Sequence, residues 1–344
     1  MRHIQNTLYV TQDGAYLHKD GESIVVRHAK AKIGQFPINA IGEIVCFGFG
    51  ISVSAPLAAF CAACGVTVSY VTGAGRFLAR MEGPLRGNVL LRRQQYRDSE
   101  SPLRATDIAR CCVAAKVRNQ RGVLLRFLRN HAGLPRDHEV RRELTAMENA
   151  HRKIASAPST DALRGLEGES AAAYFRVFDA MILNDCQKLR FSGRSRKPPL
   201  DPVNALLSFV YSLLALDIRS ALETVGLDPY VGFLHVERPG RPSLALDVME
   251  EFRAPFADRL VLSLINLGQV SETDFKAGPA EDVELRPDAR RVVLSSYQKR
   301  KREVIQHPFL EEKMELGVAF LAQARLLARH IRGDIDLYPA YIWR

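Results

Sequence analysis

From Ile44 to Gly75 the chain carries no Asp, Glu, Lys or Arg. A helix crosses a bilayer with roughly 20 consecutive apolar residues, so the run is long enough to span one. Its interior argues for something else. Gly48, Gly50, Ser52, Ser54, Pro56 and Gly65 cut it into short pieces, and such residues punctuate elements rather than extend them. The spacing predicts strand, helix, strand, buried in a soluble core, with Ser54 capping a short helix that ends at Gly65. Cys61-Ala62-Ala63-Cys64 lies on that helix. No second cysteine pair or histidine pair follows at zinc spacing, so these residues read as core, as does Cys111-Cys112 on a later helix.

The flanking residues extend the β pattern from 1 to about 85. Leu8 and Val10 alternate, Asp13-Gly14 and Asp20-Gly21 are hairpin-turn signals, and Ile24-Val25-Val26, Phe36 with Ile38, and Ile44 to Phe47 read as strands. Val66, Val68 and Tyr70 resume the two-residue period, and Phe77-Leu78 follows. From about 88 the period becomes helical. Ser101-Pro102 opens one helix and Arg136 to Ala155 forms another. Thr160-Asp161 caps a turn leading to Glu167, and helix resumes from Ala171 to Leu183. A basic loop, 184–200, precedes helices over Val203–Thr224 and Ser243–Leu267; 272–284 is loop or short strand, and Arg291–Glu303 and Leu310–Ile331 close the chain. The fold class is α+β: a β-rich domain over 1–85, then a larger all-α domain over 86–344.

Lys and Arg number 48 against 38 Asp and Glu, a net charge of +10. That excess favours a polyanionic partner, because binding releases condensed counterions. Charge alone does not separate DNA, RNA and membrane surface. Met1-Arg2-His3-Ile4-Gln5-Asn6 is followed by no apolar leader core, so a cytoplasmic protein is expected.

Three segments of the helical part hold candidate ligands for a hard metal ion: Leu166-Glu167-Gly168-Glu169, Gly232-Phe233-Leu234-His235 and Asp247-Val248-Met249-Glu250-Glu251. Carboxylates with one imidazole suit Mn²⁺ or Mg²⁺, the ions that phosphodiester chemistry uses. Each segment has a plainer reading. His235 after an apolar run can be a hydrogen-bonded structural histidine, Glu167-Gly168 a helix-end pair, and Asp247, Glu250 and Glu251 a solvated helix face. Asp247 and Glu250 are three apart and share one face, which allows joint ligation without showing it.

Four stretches in this order resemble a known family. They are Gly165-Leu166-Glu167-Gly168 with Ala172-Ala173-Tyr174-Phe175, Asp201-Pro202-Val203-Asn204-Ala205-Leu206-Leu207, Gly226 to His235, and Arg241-Pro242-Ser243-Leu244-Ala245-Leu246-Asp247-Val248-Met249-Glu250-Glu251-Phe252-Arg253. The family is the universal CRISPR-associated integrase, the endonuclease of spacer acquisition, and the details look most like subtype I-C. The resemblance implies an N-terminal β-sandwich-like dimerisation domain and a helical catalytic domain. It implies homodimers flanking a small ferredoxin-like companion, and joining of 3′ ends of short duplex DNA to the repeat by transesterification, with cutting of branched DNA in several members. The family's Glu, His and Asp/Glu ligands map to Glu167, His235 and Glu250. Asp247 is then a group orienting a ligand or an alternate ligand, and Asn204 and Tyr174 are neighbours of the site, Tyr174 having a core aromatic as its plainer reading. Arg190, Arg194, Arg196, Arg238, Arg241, Arg253, Lys299, Arg300, Lys301 and Arg302 are candidates for holding the DNA backbone, each with a solvated surface charge as the alternative. The rivals to this function are a structure-selective nuclease with no integration role and a non-catalytic DNA-binding scaffold.

Overall fold

The computed structural model describes residues 6–343 apart from 82, 84–87, 132, 134, 185, 187–188, 196–197 and 279–281. Its contacts divide the chain into two units, Met1–Arg86 with Leu285–Lys299, and Gly87–Glu284 with Arg300–Arg344. The segment 285–299 joins the first unit through contacts that local periodicity does not reveal. The Arg290 guanidinium covers Gly73 so closely that an added Cβ would stand 2.9 Å from Nη1.

The first unit holds β1 (Asn6–Val10), β2 (Tyr16–Asp20), β3 (Ser23–His28), β4 (Ala31–Pro37), β5 (Ile41–Phe47), β6 (Ser52–Val53), α1 (Ala55–Cys64), β7 (Thr67–Val71) and β8 (Phe77–Met81). The strands form two sheets, ordered β1-β5-β7-β8 and β4-β3-β2-β6. Ile44, Cys46 and Val68 of one sheet, Leu17, Ile24 and Val26 of the other, and Leu57 and Cys61 of α1 share one core. The uncharged run therefore supplies the end of β5 and all of β6, α1 and β7. Strand β5 pairs in parallel with both β1 and β7, and a strand buried on both faces reads as a continuous apolar run. Ser54 Oγ accepts from Leu57 N, and Gly65 ends α1 in the left-handed region at φ 73°. Asp20-Gly21 turns the β2–β3 hairpin. Asp13-Gly14 does not make a hairpin: β1 pairs with β5 and β2 with β3, so this turn carries the chain from one sheet to the other. Asp13 instead accepts from Gly50 N at 3.2 Å, where a Cβ on Gly50 would collide with its carboxylate.

The helical unit contains α2 (Val89–Glu100), α3 (Pro102–Asn130), α4 (Asp137–Ile154), α5 (Thr160–Arg176), α6 (Pro202–Val225), α7 (Ser243–Phe252) and α8 (Arg259–Asn266). Helix α9 (Pro287–Lys301) ends in it, and α10 (Leu316–Arg332) follows. It is not all-α. Two-stranded ribbons pair β9 (Phe275–Ala277) with β10 (Val283–Leu285), and β11 (Val304–Gln306) with β12 (Lys313–Glu315), so the last helix starts at Leu316 rather than Leu310. Helix α6 is long and apolar enough to cross a membrane by length and composition. Here it is a core helix, with most residues from Val203 to Leu222 buried and an N-cap from Asp201.

Two departures from the expected helices matter for the site. Helix α5 is continuous through Gly165 and Gly168, so Glu167 sits mid-helix rather than at a helix end. An interior glycine costs about 1 kcal/mol in a helix; packing of α5 on α3 and α4 offsets that. The expected Ser243–Leu267 helix is interrupted by a π-helical stretch, Arg253–Asp258. Pro255 lies within it and has no N–H to continue the α-helical ladder.

Candidate functional site

Helices α3, α5 and α7 and the turn before α7 bring four side chains together within the helical unit. Glu167 comes from α5, Glu250 from α7, His235 from the turn, and Lys116 from the inward face of α3. The Lys116 ammonium is paired with Glu167 and stands 2.7 Å from Glu250 Oε2. His235 Nε2 is 3.8 Å from Glu250 Oε1. Glu250 is also 3.2 Å from the Arg253 guanidinium one turn on. Burial pushes the Glu250 carboxyl up, but Arg253, Lys116 and His235 more than offset it and hold its pKa at about 2. The carboxylate is therefore ionised at neutral pH.

Asp247 organises the turn. Its Oδ2 accepts from Phe233 N at 2.6 Å and Leu234 N at 3.0 Å, and its Oδ1 from His235 N at 3.0 Å and His235 Nδ1 at 2.6 Å. A proton on Nδ1 satisfies that last contact and leaves the Nε2 lone pair on the Glu250 side. Gly232 makes the approach possible, since a Cβ there would stand 2.8 Å from Asp247 Oδ2. Arg164 of α5 donates to Leu234 O at 2.8 Å and fixes the turn to the helix that carries Glu167.

Among the described residues, no three His, Cys, Asp or Glu side chains converge tightly enough to hold an ion as they stand; Lys116 lies between two of the expected ligands. The donors themselves suit a hard divalent cation, being two carboxylates and an imidazole. Glu250 Oε2 is buried and, although an ammonium is near, has no aligned hydrogen bond. The adjacent Glu251 belongs to a different environment. It accepts from Tyr341 N at 2.6 Å, Gln323 Nε2 at 2.8 Å and the Tyr338 hydroxyl, and burial pushes its pKa up to about 7.

The remaining candidates separate by burial. Asn204 is fully buried; it donates to Gly193 O at 2.7 Å and accepts from Ser195 N at 3.1 Å, so it staples the 193–195 loop to the start of α6. Tyr174 is a core aromatic, with ring centroids 5.3 Å and 5.8 Å from Phe175 and Phe178. Tyr174→Ala is expected to cost about 3–5 kcal/mol in denaturant unfolding, while Tyr174→Phe keeps activity within a few-fold; a dead but fully stable Phe variant would contradict a packing role.

Three of the basic candidates are engaged inside the protein. Arg253 pairs with Glu250 and lies over the Tyr211 ring at 4.8 Å. Arg300 donates to Phe256 O at 2.9 Å and Pro255 O at 2.6 Å, and Lys301 pairs with Asp217 at 2.7 Å. Their charges balance internal groups rather than face a DNA backbone. Arg190 donates to Ile182 O and Arg194 to Asn204 Oδ1; both are half-buried, as is Arg241. Arg238, Lys299 and Arg302 are exposed. Arg196 lies outside the described residues.

Sequence reasoning missed Lys116, and it missed a cavity of about 610 Å³ that begins at Glu167. Arg136, Arg176 and Arg194 line it, with Phe175 and Phe191 among its apolar walls. Gly168 opens onto it, with nothing within 4 Å of where a Cβ would stand.

Fold and site together define a two-unit α+β protein whose helical unit gathers two carboxylates, an imidazole and a buried ammonium beside an arginine-lined cavity. Residues 8–299 match the family model described as CRISPR associated protein Cas1. A protein of Rhodospirillum rubrum named CRISPR-associated endonuclease Cas1 2 is 50% identical over 348 residues, covering 100% of both chains. Among solved structures, a casposase bound to integration product superposes with a TM-score of 0.85 at 22% identity, covering 98% of this chain and 94% of that one. A chain of a Cas6-RT-Cas1–Cas2 complex does so at 0.83 and 21%, covering 100% of this chain and 36% of that one. The chain belongs to the Cas1 family of CRISPR-associated proteins.

Proposed function

We propose that this chain is a metal-dependent DNA integrase and endonuclease that inserts short DNA fragments as new spacers into a CRISPR array, of subtype I-C by its motif details. The observation that carries the reading is the shared ammonium: carboxylates from two helices, with an oriented imidazole beside them, are built around one positive charge. Glu167, His235 Nε2 and Glu250 would hold Mn²⁺ or Mg²⁺. When bound, that ion supplies polarisation of the scissile phosphate and a lowered pKa for the attacking 3′-hydroxyl.

The protein's own groups do the rest. Asp247 holds the His235 ring by Nδ1, which turns Nε2 toward Glu250. Arg253 keeps Glu250 ionised. Arg136, Arg176 and Arg194 line the cavity that opens at Glu167; Arg136 is paired there with Asp179 and Arg176 with Glu143, and a DNA strand would draw these guanidinium groups to its phosphates in exchange. One P–O bond forms to the incoming 3′-oxygen as the bond to the repeat's leaving oxygen breaks. The reaction passes in line through phosphorus and needs no serine or tyrosine nucleophile. Water in place of the 3′-hydroxyl gives hydrolysis, the structure-selective nuclease reading, which the endonuclease name of the relative favours.

Double-stranded and branched DNA are the proposed substrates, and the cytoplasm the proposed compartment. A homodimer and a small ferredoxin-like companion are the proposed partners; a fold neighbour that stands in a complex with Cas2 supports the companion. The test uses a 3′-hydroxyl duplex donor, a repeat-bearing plasmid, the companion and Mn²⁺. Strand transfer is expected with the ion and none in excess EDTA. Full transfer in EDTA refutes the metal reading, and plasmid cutting without joining selects the nuclease reading.

A further inference from the structure

We propose that the Lys116 ammonium is an internal cation that holds the place of the metal: it seats between Glu167 and Glu250 in the metal-free protein and leaves when an ion binds. The inference rests on the metal reading above. Lys116 projects from the buried face of α3, among Cys112, Val113 and Val117, with 5% of its side chain exposed. A charge so placed needs compensation, and Glu167 and Glu250 supply it. The arrangement also serves the carboxylates, which would otherwise repel each other across the site.

The same geometry excludes joint occupancy. Glu250 is in contact with Arg253 at 3.2 Å and Lys116 at 2.7 Å. A divalent ion that took the Glu167 and Glu250 oxygens now contacting Nζ would have to displace it. Arg253 is the less free to yield, being stacked on Tyr211 and one turn from Glu250 on its own chain segment. Lys116 reaches in from another helix on a flexible four-carbon stem and can withdraw. While it is seated the site is closed to metal, so the apparent metal affinity is the intrinsic affinity multiplied by the fraction of molecules in which Lys116 is out. The ammonium thus makes the family's ligands a site that opens only when a cation strong enough to displace it arrives.

Mn²⁺ titrated into the full-length protein, with free ion read by electron paramagnetic resonance, tests this in the wild type, Lys116→Met and Lys116→Gln. Both variants are expected to bind Mn²⁺ about tenfold more tightly or better, and Mn²⁺ is expected to raise their melting temperatures more than that of the wild type. Unchanged or weaker affinity in folded variants, with wild-type binding intact, overturns the place-holder role and leaves Lys116 a structural ion-pair partner. No binding in any of the three overturns the metal reading, and this inference with it. Should Lys116→Met not fold without metal, Lys116→Gln carries the comparison. A measurement on the wild type needs no variant: reductive methylation of Lys116, read by peptide mass, is expected to rise when Mn²⁺ is added. Methylation that stays level or falls, at an Mn²⁺ concentration that fills the site, counts against displacement.

Discussion

Glu250→Gln is expected to lower strand transfer by at least about 10³-fold, with affinity for duplex DNA within about twofold of the wild type. Glutamine keeps the size and one acceptor of the side chain but removes the charge that Lys116 and Arg253 are arranged around. It therefore holds a divalent ion far more weakly. The exposed basic groups, Arg238, Lys299 and Arg302, are untouched, so phosphate contacts persist. Loss of a buried partner can unsettle Arg253 and Lys116, and far-UV circular dichroism of the variant separates misfolding from lost chemistry. A folded Glu250→Gln protein with more than a few per cent of wild-type transfer would remove Glu250 from the ligand set.

Asp247→Asn is expected to lose about 100-fold in strand transfer, the upper end for a group that orients a metal ligand. The size follows from what the carboxylate does. Its two oxygens receive four N–H groups, three from the backbone of Phe233 to His235 and one from the imidazole. Asparagine offers one oxygen and turns an amide donor against the other pair. Each buried donor left unmatched costs about 1–3 kcal/mol, so urea unfolding should show destabilisation in parallel with the loss of activity. A variant as stable and as active as the wild type would show that the turn is held some other way. The orienting role of Asp247 differs from ligation in one readout: Mn²⁺ binding is expected to weaken less in Asp247→Asn than in Glu250→Gln, which loses an anionic ligand.

Much of this was legible in the sequence where local chemistry decides local structure. Gly48, Pro56 and Gly65 divide the uncharged run into the strands and helix that form, because glycine and proline act on their own few residues. Asp13-Gly14 shows the limit: it announces a turn but not the strand that the chain meets next, and here that strand is in the other sheet. Glu167 was misplaced at a helix end because Gly168 resembles a stop signal; the packing of α5 on its neighbours outweighs the glycine. Pro255 was a break signal for the π-helical stretch, outweighed in the reading of Ser243–Leu267 by the helical pattern on both sides of it.

Charge was the least legible property. Arg253, Arg300 and Lys301 count toward the positive balance exactly as exposed residues do, yet each is matched to an internal partner. Lys116 carried a usable signal. It falls four residues after Cys112 and three after Val113 on the apolar face of α3, and a lysine on such a face must either be paired or reach outside. That partner lies 51 residues away in Glu167, a separation no helical period can display.

The assignment of Leu285–Lys299 to the first unit has a consequence for how the protein is made. The sheets and their shared core are complete in sequence by Met81, so they can begin to fold while the rest of the chain is still being translated. The segment that covers Gly73 with Arg290 emerges only after most of the helical unit. At about 5–20 residues per second, the N-terminal unit waits on the order of ten seconds or more on the ribosome with that surface open, and its last piece arrives from a part of the chain already committed to another body.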